Sequence, residues 1–161
     1  MVSVVKRFLL IVWFVCIAPA AQAATCYTTF EAEAEQGIRI HSELMVIGLN
    51  CQHLYTIKGR NLYEYYRSFT RKQSAMIEMY ENSLMAYYQR AGHKNPEAAL
   101  TEMRTDVANT ISRSVANMRP DIFCTKYSPR VFTASGMSVR DYRRWATTFH
   151  RDHPVSKRMC R

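Results

Sequence analysis

Glycine and proline are scarce in this chain, five of each in 161 residues. That scarcity excludes a collagen-like fold and argues against an all-β one, whose many turns need both residues. Acidic residues are also few, 13 against 22 Lys and Arg. Motifs that announce a chemistry are missing. There is no Gly-x-Ser-x-Gly elbow for a serine nucleophile, no glycine-rich loop to cradle phosphate and no Cys-x-x-Cys-His for haem attachment. The long apolar run near the start, Phe8 to Ile17, is about ten residues, too short for a stable membrane span.

That run belongs to a different pattern. Lys6 and Arg7 precede it, Pro19 breaks it, and Ala21-Gln22-Ala23 places small residues where a signal peptidase cuts. Residues 1–23 are therefore predicted to be a cleaved signal peptide, and 24–161 one exported domain, periplasmic or secreted. Cys16 follows the bulky Val15, which excludes lipid attachment there. Past Ala24 the charge is uneven. Ten basic and ten acidic residues cancel up to Met118, whereas Arg119 to Arg161 carries ten basic residues against Asp121, Asp141 and Asp152. The excess positive charge sits in the last quarter.

Helical spacing dominates what remains. Asn61 to Arg90 contains neither Gly nor Pro. One apolar seam runs through Leu62, Tyr66, Phe69, Gln73, Met76, Tyr80 and Tyr87, and a second through Tyr63, Thr70, Ile77, Leu84 and Tyr88. A stripe that wide predicts a central helix, the spine that the rest of the chain covers. Before it, Thr28 or Thr29 with Glu31 and Glu33 reads as a helix start, followed by the line Ile40, Leu44, Ile47, Cys51. Gly37 and Gly48 weaken that helix's propensity. Lys58-Gly59-Arg60 is the turn into the spine, and Gly92 ends it. Asn95-Pro96 opens a third helix keeping time through Leu100, Met103, Val107, Ile111, Val115 and Met118, closed by Pro120. From Asp121 to Met137 the helical signal weakens, and the stretch from Arg130 to Ser135, bracketed by Pro129 and Gly136, reads as a short helix or irregular chain. Ser138 with Asp141 caps a last helix from Val139 to about Phe149, burying Tyr142, Trp145 and Phe149. The expectation is all-α, an up-and-down bundle of four main helices.

Four cysteines follow the leader: Cys26, Cys51, Cys124 and Cys160. An even number in an exported chain predicts two disulfides. If Cys26 and Cys51 flank one continuous helix they lie about 35 Å apart, far beyond the roughly 6 Å that a bridge spans. Up-and-down topology then brings Cys51 to Cys124 at one end and Cys26 to Cys160 at the other. Four thiolates on one metal would need paired short spacings, which are absent.

Three groups could carry chemistry, and each has a plainer reading. Met76, Met79 and Met85 resemble a thioether set for Cu(I), but Met76 lies on the core seam, where methionine is a common filler. His150 and His153 with Asp152 between them have metal-ligand spacing within a basic segment that repels a cation. Of the others, His41 and Glu43 are two apart and share no helical face, and His53 and His93 lie near turns. Glu31, Glu35 and Glu43 raise the thought of a glycan hydrolase with a glutamate acid, against which stands a solvated outer face. No catalytic residue, metal or cofactor is assigned. The tyrosines, Tyr63, Tyr65, Tyr66, Tyr87 and Tyr88 among them, read as a thick core with hydroxyls reaching solvent, or as a contact patch.

The basic segment is the clearest surface signal. Arg140, Arg143, Arg144 and Arg151 fall at helical spacing, with Lys157, Arg158 and Arg161 beyond. After export, an acidic protein or an anionic envelope surface suits it better than nucleic acid. The sequence therefore predicts an exported protein that acts by binding, of the build of an inhibitor, an immunity protein or an accessory subunit of an envelope complex. The competing class is a small enzyme or metal carrier using Glu31/Glu35/Glu43 or the Met and His groups.

Overall fold

The computed structural model describes residues 25–54, 56–148 and 154–160. The predicted leader, Phe149, Arg151 and the group His150, Asp152 and His153 lie outside the described residues. Within them the order is α1 (Thr29–Cys51), β1 (Thr56–Ile57), β2 (Arg60–Asn61), α2 (Leu62–Arg90), α3 (Pro96–Ala116), α4 (Pro120–Gly136) and α5 (Val139–Ala146). The first four helices form a bundle stapled by two disulfides, as the predicted fold class has it, with α4 in the place expected of the helix from Val139.

Local chemistry sets where each helix begins. At α1 the Thr28 hydroxyl accepts from the Glu31 amide at 3.2 Å, and the Glu31 carboxylate accepts from the Thr28 amide at 2.8 Å. This reciprocal capping box satisfies two amides that a helix start leaves unbonded. Asn61 caps α2, Asn95 with Pro96 caps α3, and Ser138 with Asp141 repeats the box at α5. Between α1 and α2, Lys58 and Gly59 take positive φ of 50° and 75° and close a two-residue hairpin whose strands pair Thr56 with Asn61 and Ile57 with Arg60.

The core lies between α1 and α2, which pack on each other and on α3, α4 and α5, while α3 and α4 scarcely meet. Both predicted seams of α2 face inward, with Leu62, Phe69, Gln73, Tyr80 and Leu84 fully buried. The spine is nevertheless shared. Leu49 and Asn50 near the end of α1 are exposed, but every residue from Glu31 to Ile38 is buried, so these two turns are covered on all sides. Gly37 makes that possible. A Cβ there would lie 2.3 Å from a ring carbon of Tyr80, so glycine lets two helices approach where any side chain would collide. The helix runs unbroken through Gly37 and Gly48.

Two expectations need correction. The stretch from Arg130 to Ser135 is neither a short helix nor irregular but part of the seventeen-residue α4, which runs from Pro120 to Gly136 with Pro129 inside it. Proline removes one helical hydrogen bond and crowds the preceding turn. Here the helix is held from outside, by Cys124 bonded to α1 and by Phe123, Val131 and Ala134 buried in the core. The last helix ends at Ala146 rather than Phe149, and Trp145 is only partly buried. The C-terminal segment meets the start of the chain instead. Tyr27 bridges Met159 in parallel, donating to the Arg158 carbonyl at 2.9 Å and accepting from the Cys160 amide at 2.8 Å.

The disulfides are Cys26–Cys160 and Cys51–Cys124, with α-carbons 5.0 and 5.5 Å apart, as the topology predicts. Their partners are brought together at opposite ends of α1. Gly37 gives the first test of this packing. Gly37→Ala adds helix propensity in a free helix, but against the buried Tyr80 ring overpacking should win and cost about 1–3 kcal/mol, read as a lowered denaturant midpoint. A variant as stable as the parent would place Tyr80 elsewhere.

Candidate functional site

Carboxylates line the most buried part of the molecule. Glu31, Glu33 and Glu35 are 5%, 4% and 0% exposed, so the solvated outer face expected for Glu31 and Glu35 is wrong. The reason is pairing: an ion leaves water only where charge and hydrogen bonds replace it. Arg90, at the end of α2, grips Glu31 with two nitrogens at 2.9 and 3.0 Å. Arg143 of α5 grips Glu33 likewise at 2.8 and 3.2 Å, and the Tyr80 hydroxyl donates to the same carboxylate at 2.8 Å. Glu35 accepts from the Ser156 amide at 2.8 Å, the Ser156 hydroxyl at 2.5 Å and Arg39 at 3.0 Å. Glu43, further along, pairs with Arg130 of α4.

Burial by itself would raise Glu31 and Glu33. The bonds from Arg90 and Thr28, and from Arg143 and Tyr80, outweigh it and hold both below the usual carboxylate range. A general acid needs the opposite shift. Glu31 is thereby an ionised structural anchor.

The tyrosines join the same network. Tyr65, Tyr66, Tyr80, Tyr87 and Tyr88 are buried, as the core reading holds, but the hydroxyls bond inside rather than reaching solvent. Tyr142 donates to the Gly37 carbonyl at 2.7 Å, Tyr65 to that of Ile57 at 2.8 Å, and Tyr87 to that of Thr25 at 3.2 Å. His41 bonds Tyr66 at 3.0 Å, and burial lowers its pKa to about 4, with the Arg104 charge adding to the effect. It is a neutral core residue at physiological pH. His93 packs edge-on against Tyr88. Met76 is buried while Met79 is exposed, so the two lie on different faces of α2. Among the described residues no three His, Cys, Asp or Glu side chains gather closely enough to hold a metal ion. No described helix is long and apolar enough to cross a membrane.

Of the four predicted arginines, Arg143 is committed to Glu33. Arg140 and Arg144, one turn apart, are exposed and make no ion pair among the described residues. Asp141 sits between them in sequence, held by the Ser138 cap.

A second feature was not legible in the sequence. Because α3 and α4 scarcely meet, they leave a groove of about 410 Å³ over one face of α1. Ile40 and Ile47 form its floor, Val107 and Ile111 one wall, Phe123 and Tyr127 the other, and Trp145 of α5 closes part of the rim. Arg39, Lys126 and Arg130 also line it, against the single carboxylate of Glu43. Arg39 is tied to Glu35 through one nitrogen, and its Nε is buried without a partner. The signal in the sequence was faint: Thr110 and Ser114 share the inner side of α3 with Val107 and Ile111, which weakens that seam toward its C-terminal end.

Compared with protein-family models, curated proteins and solved structures, the chain matches none. Its reading rests on its own residues.

The paired carboxylates predict the pH response. Groups held below their unfolded value of 4.5 contribute their full stability above that pH and lose it as pH falls through the folded value. The protein should lose stability below about pH 4.5, and Glu31→Gln with Glu33→Gln should lower stability at pH 7 while flattening that acid limb. Denaturant titrations between pH 7 and 2 check this. An unchanged slope in the double variant would contradict the pairing.

Proposed function

We propose that this is an exported protein that acts by binding an acidic protein partner of the cell envelope, with the build of an inhibitor, an immunity protein or an accessory subunit. The observation that carries the reading is the pair Arg140 and Arg144 on α5. Both are exposed on a helix whose third arginine, Arg143, fixes it to Glu33. A guanidinium left in water on a rigid helix is prepared for a carboxylate, which its planar fork meets with two bonds. Arg140 and Arg144 stand beside a partly exposed Trp145, and arginine with an aromatic side chain is a composition that suits a protein interface. Export is supported by the signal-like start of the sequence and by two disulfides, which persist in oxidising compartments.

The test is charge reversal with a defined probe. Retention on immobilised polyglutamate should be clear at low salt and fall as salt rises, because exposed charges are screened over about 8 Å at physiological ionic strength. Arg140→Glu with Arg144→Glu should abolish retention and leave the thermal midpoint unchanged, since such exposed positions contribute within about half a kcal/mol. Equal retention of the variant, or none by the parent at low salt, would contradict the proposal. Stronger retention on phosphatidylglycerol vesicles than on polyglutamate would transfer the function to a lipid surface.

A further inference from the structure

We infer that the groove between α1, α3 and α4 is a binding site for an amphipathic monocarboxylate, an acid with an alkyl or aryl body. Its volume of about 410 Å³ falls in the range of small-molecule pockets, roughly 300–1,000 Å³. The shape follows from the fold. α3 fully buries only Ala99, Leu100 and Val107, and Ile111, which lines the groove, remains half-exposed. Between Gln36 and Ile47, the lining positions of α1 that bound the groove, the helix advances about 16 Å, which makes the groove elongated.

Polarity is unequal along that length. Toward the start of α1 lies Arg39, whose Nε is buried and unpartnered while another of its nitrogens bonds Glu35. Arg39 lines the groove, which sets a cation beside an anion bound there. Glu35 already offsets much of the Arg39 charge, which favours a monoanion over a dianionic phosphate. Toward the other end Ile47, one turn before Cys51, and Phe123, beside Cys124, supply apolar surface, with Ser114 and Lys126 also in the lining. Head at Arg39 and body along Ile40, Ile111 and Phe123 is the orientation that matches both ends. Lys126 and Arg130 keep the lining positive overall, which attracts an anion from solution.

Trp145 reports on the site directly. Within residues 24–161 Trp145 is the single tryptophan, and it lines the rim. In the chain from Ala24 onward, dodecanoate should change Trp145 emission saturably, and dodecanol should bind at least tenfold more weakly. Arg39→Gln should weaken dodecanoate at least tenfold. Because Arg39 also serves Glu35, Ile111→Trp, read by competition for a dansyl-labelled fatty acid, supplies the control. It fills the groove from a half-exposed position, and should abolish binding with the thermal midpoint retained. Absence of saturable dodecanoate binding, equal affinity for dodecanol, or unaltered binding in the Ile111 variant would overturn the site. Arg140→Glu with Arg144→Glu should leave dodecanoate binding unchanged, so the two sites fail or stand separately.

Discussion

Helical turns buried on every side have no outer face on which to keep charges, and the first two turns of α1 carry three acids. The structure depends on how those acids are compensated. Each draws its partner from a different part of the chain: Arg90 from the end of α2, Arg143 from α5, Ser156 from the C-terminal segment. Burying a carboxylate without a partner would cost several kcal/mol, and pairing in good geometry restores most of it. The net gain in stability is modest. What the pairing specifies is position, because a single register of α2, α5 and the tail satisfies all three acids together.

The disulfides act on the same scaffold from its two ends. Cys26–Cys160 and Cys51–Cys124 join residues 134 and 73 positions apart, and native bridges of this kind contribute about 2–5 kcal/mol in small exported domains. With α1 clamped at both ends and anchored along its first turns, the opening over Ile40 and Ile47 is set in a rigid frame.

Local features were legible in the sequence. Caps at Thr28, Asn61, Asn95 and Ser138 involve residues within three positions of one another, and the seams of α2 repeat at helical spacing. The disulfide pairing was legible too, because up-and-down topology alone decides which ends meet. Features that rest on distant partners were not. Glu33 finds Tyr80 and Arg143 at separations of 47 and 110 residues, so in sequence it reads as a solvated acid. Gly37 reads as a weak point of α1 until the Tyr80 ring is seen against it. α4 reads as broken at Pro129 because what holds it, Cys124 and the core face, is tertiary. The groove is a gap between two helices, and no spacing within either one encodes it.

The account turns on the claim that Glu33 is buried because Arg143 neutralises it and locks α5 in place. A double-mutant cycle with Glu33→Gln, Arg143→Gln and the pair, read by chemical denaturation at pH 7, tests this most directly. Coupling of at least about 1 kcal/mol, within the range of residues sharing one network, is the predicted result, with Arg143→Gln alone the most damaging variant because it strands a buried charge. Losses that add to within about 0.3 kcal/mol would contradict it.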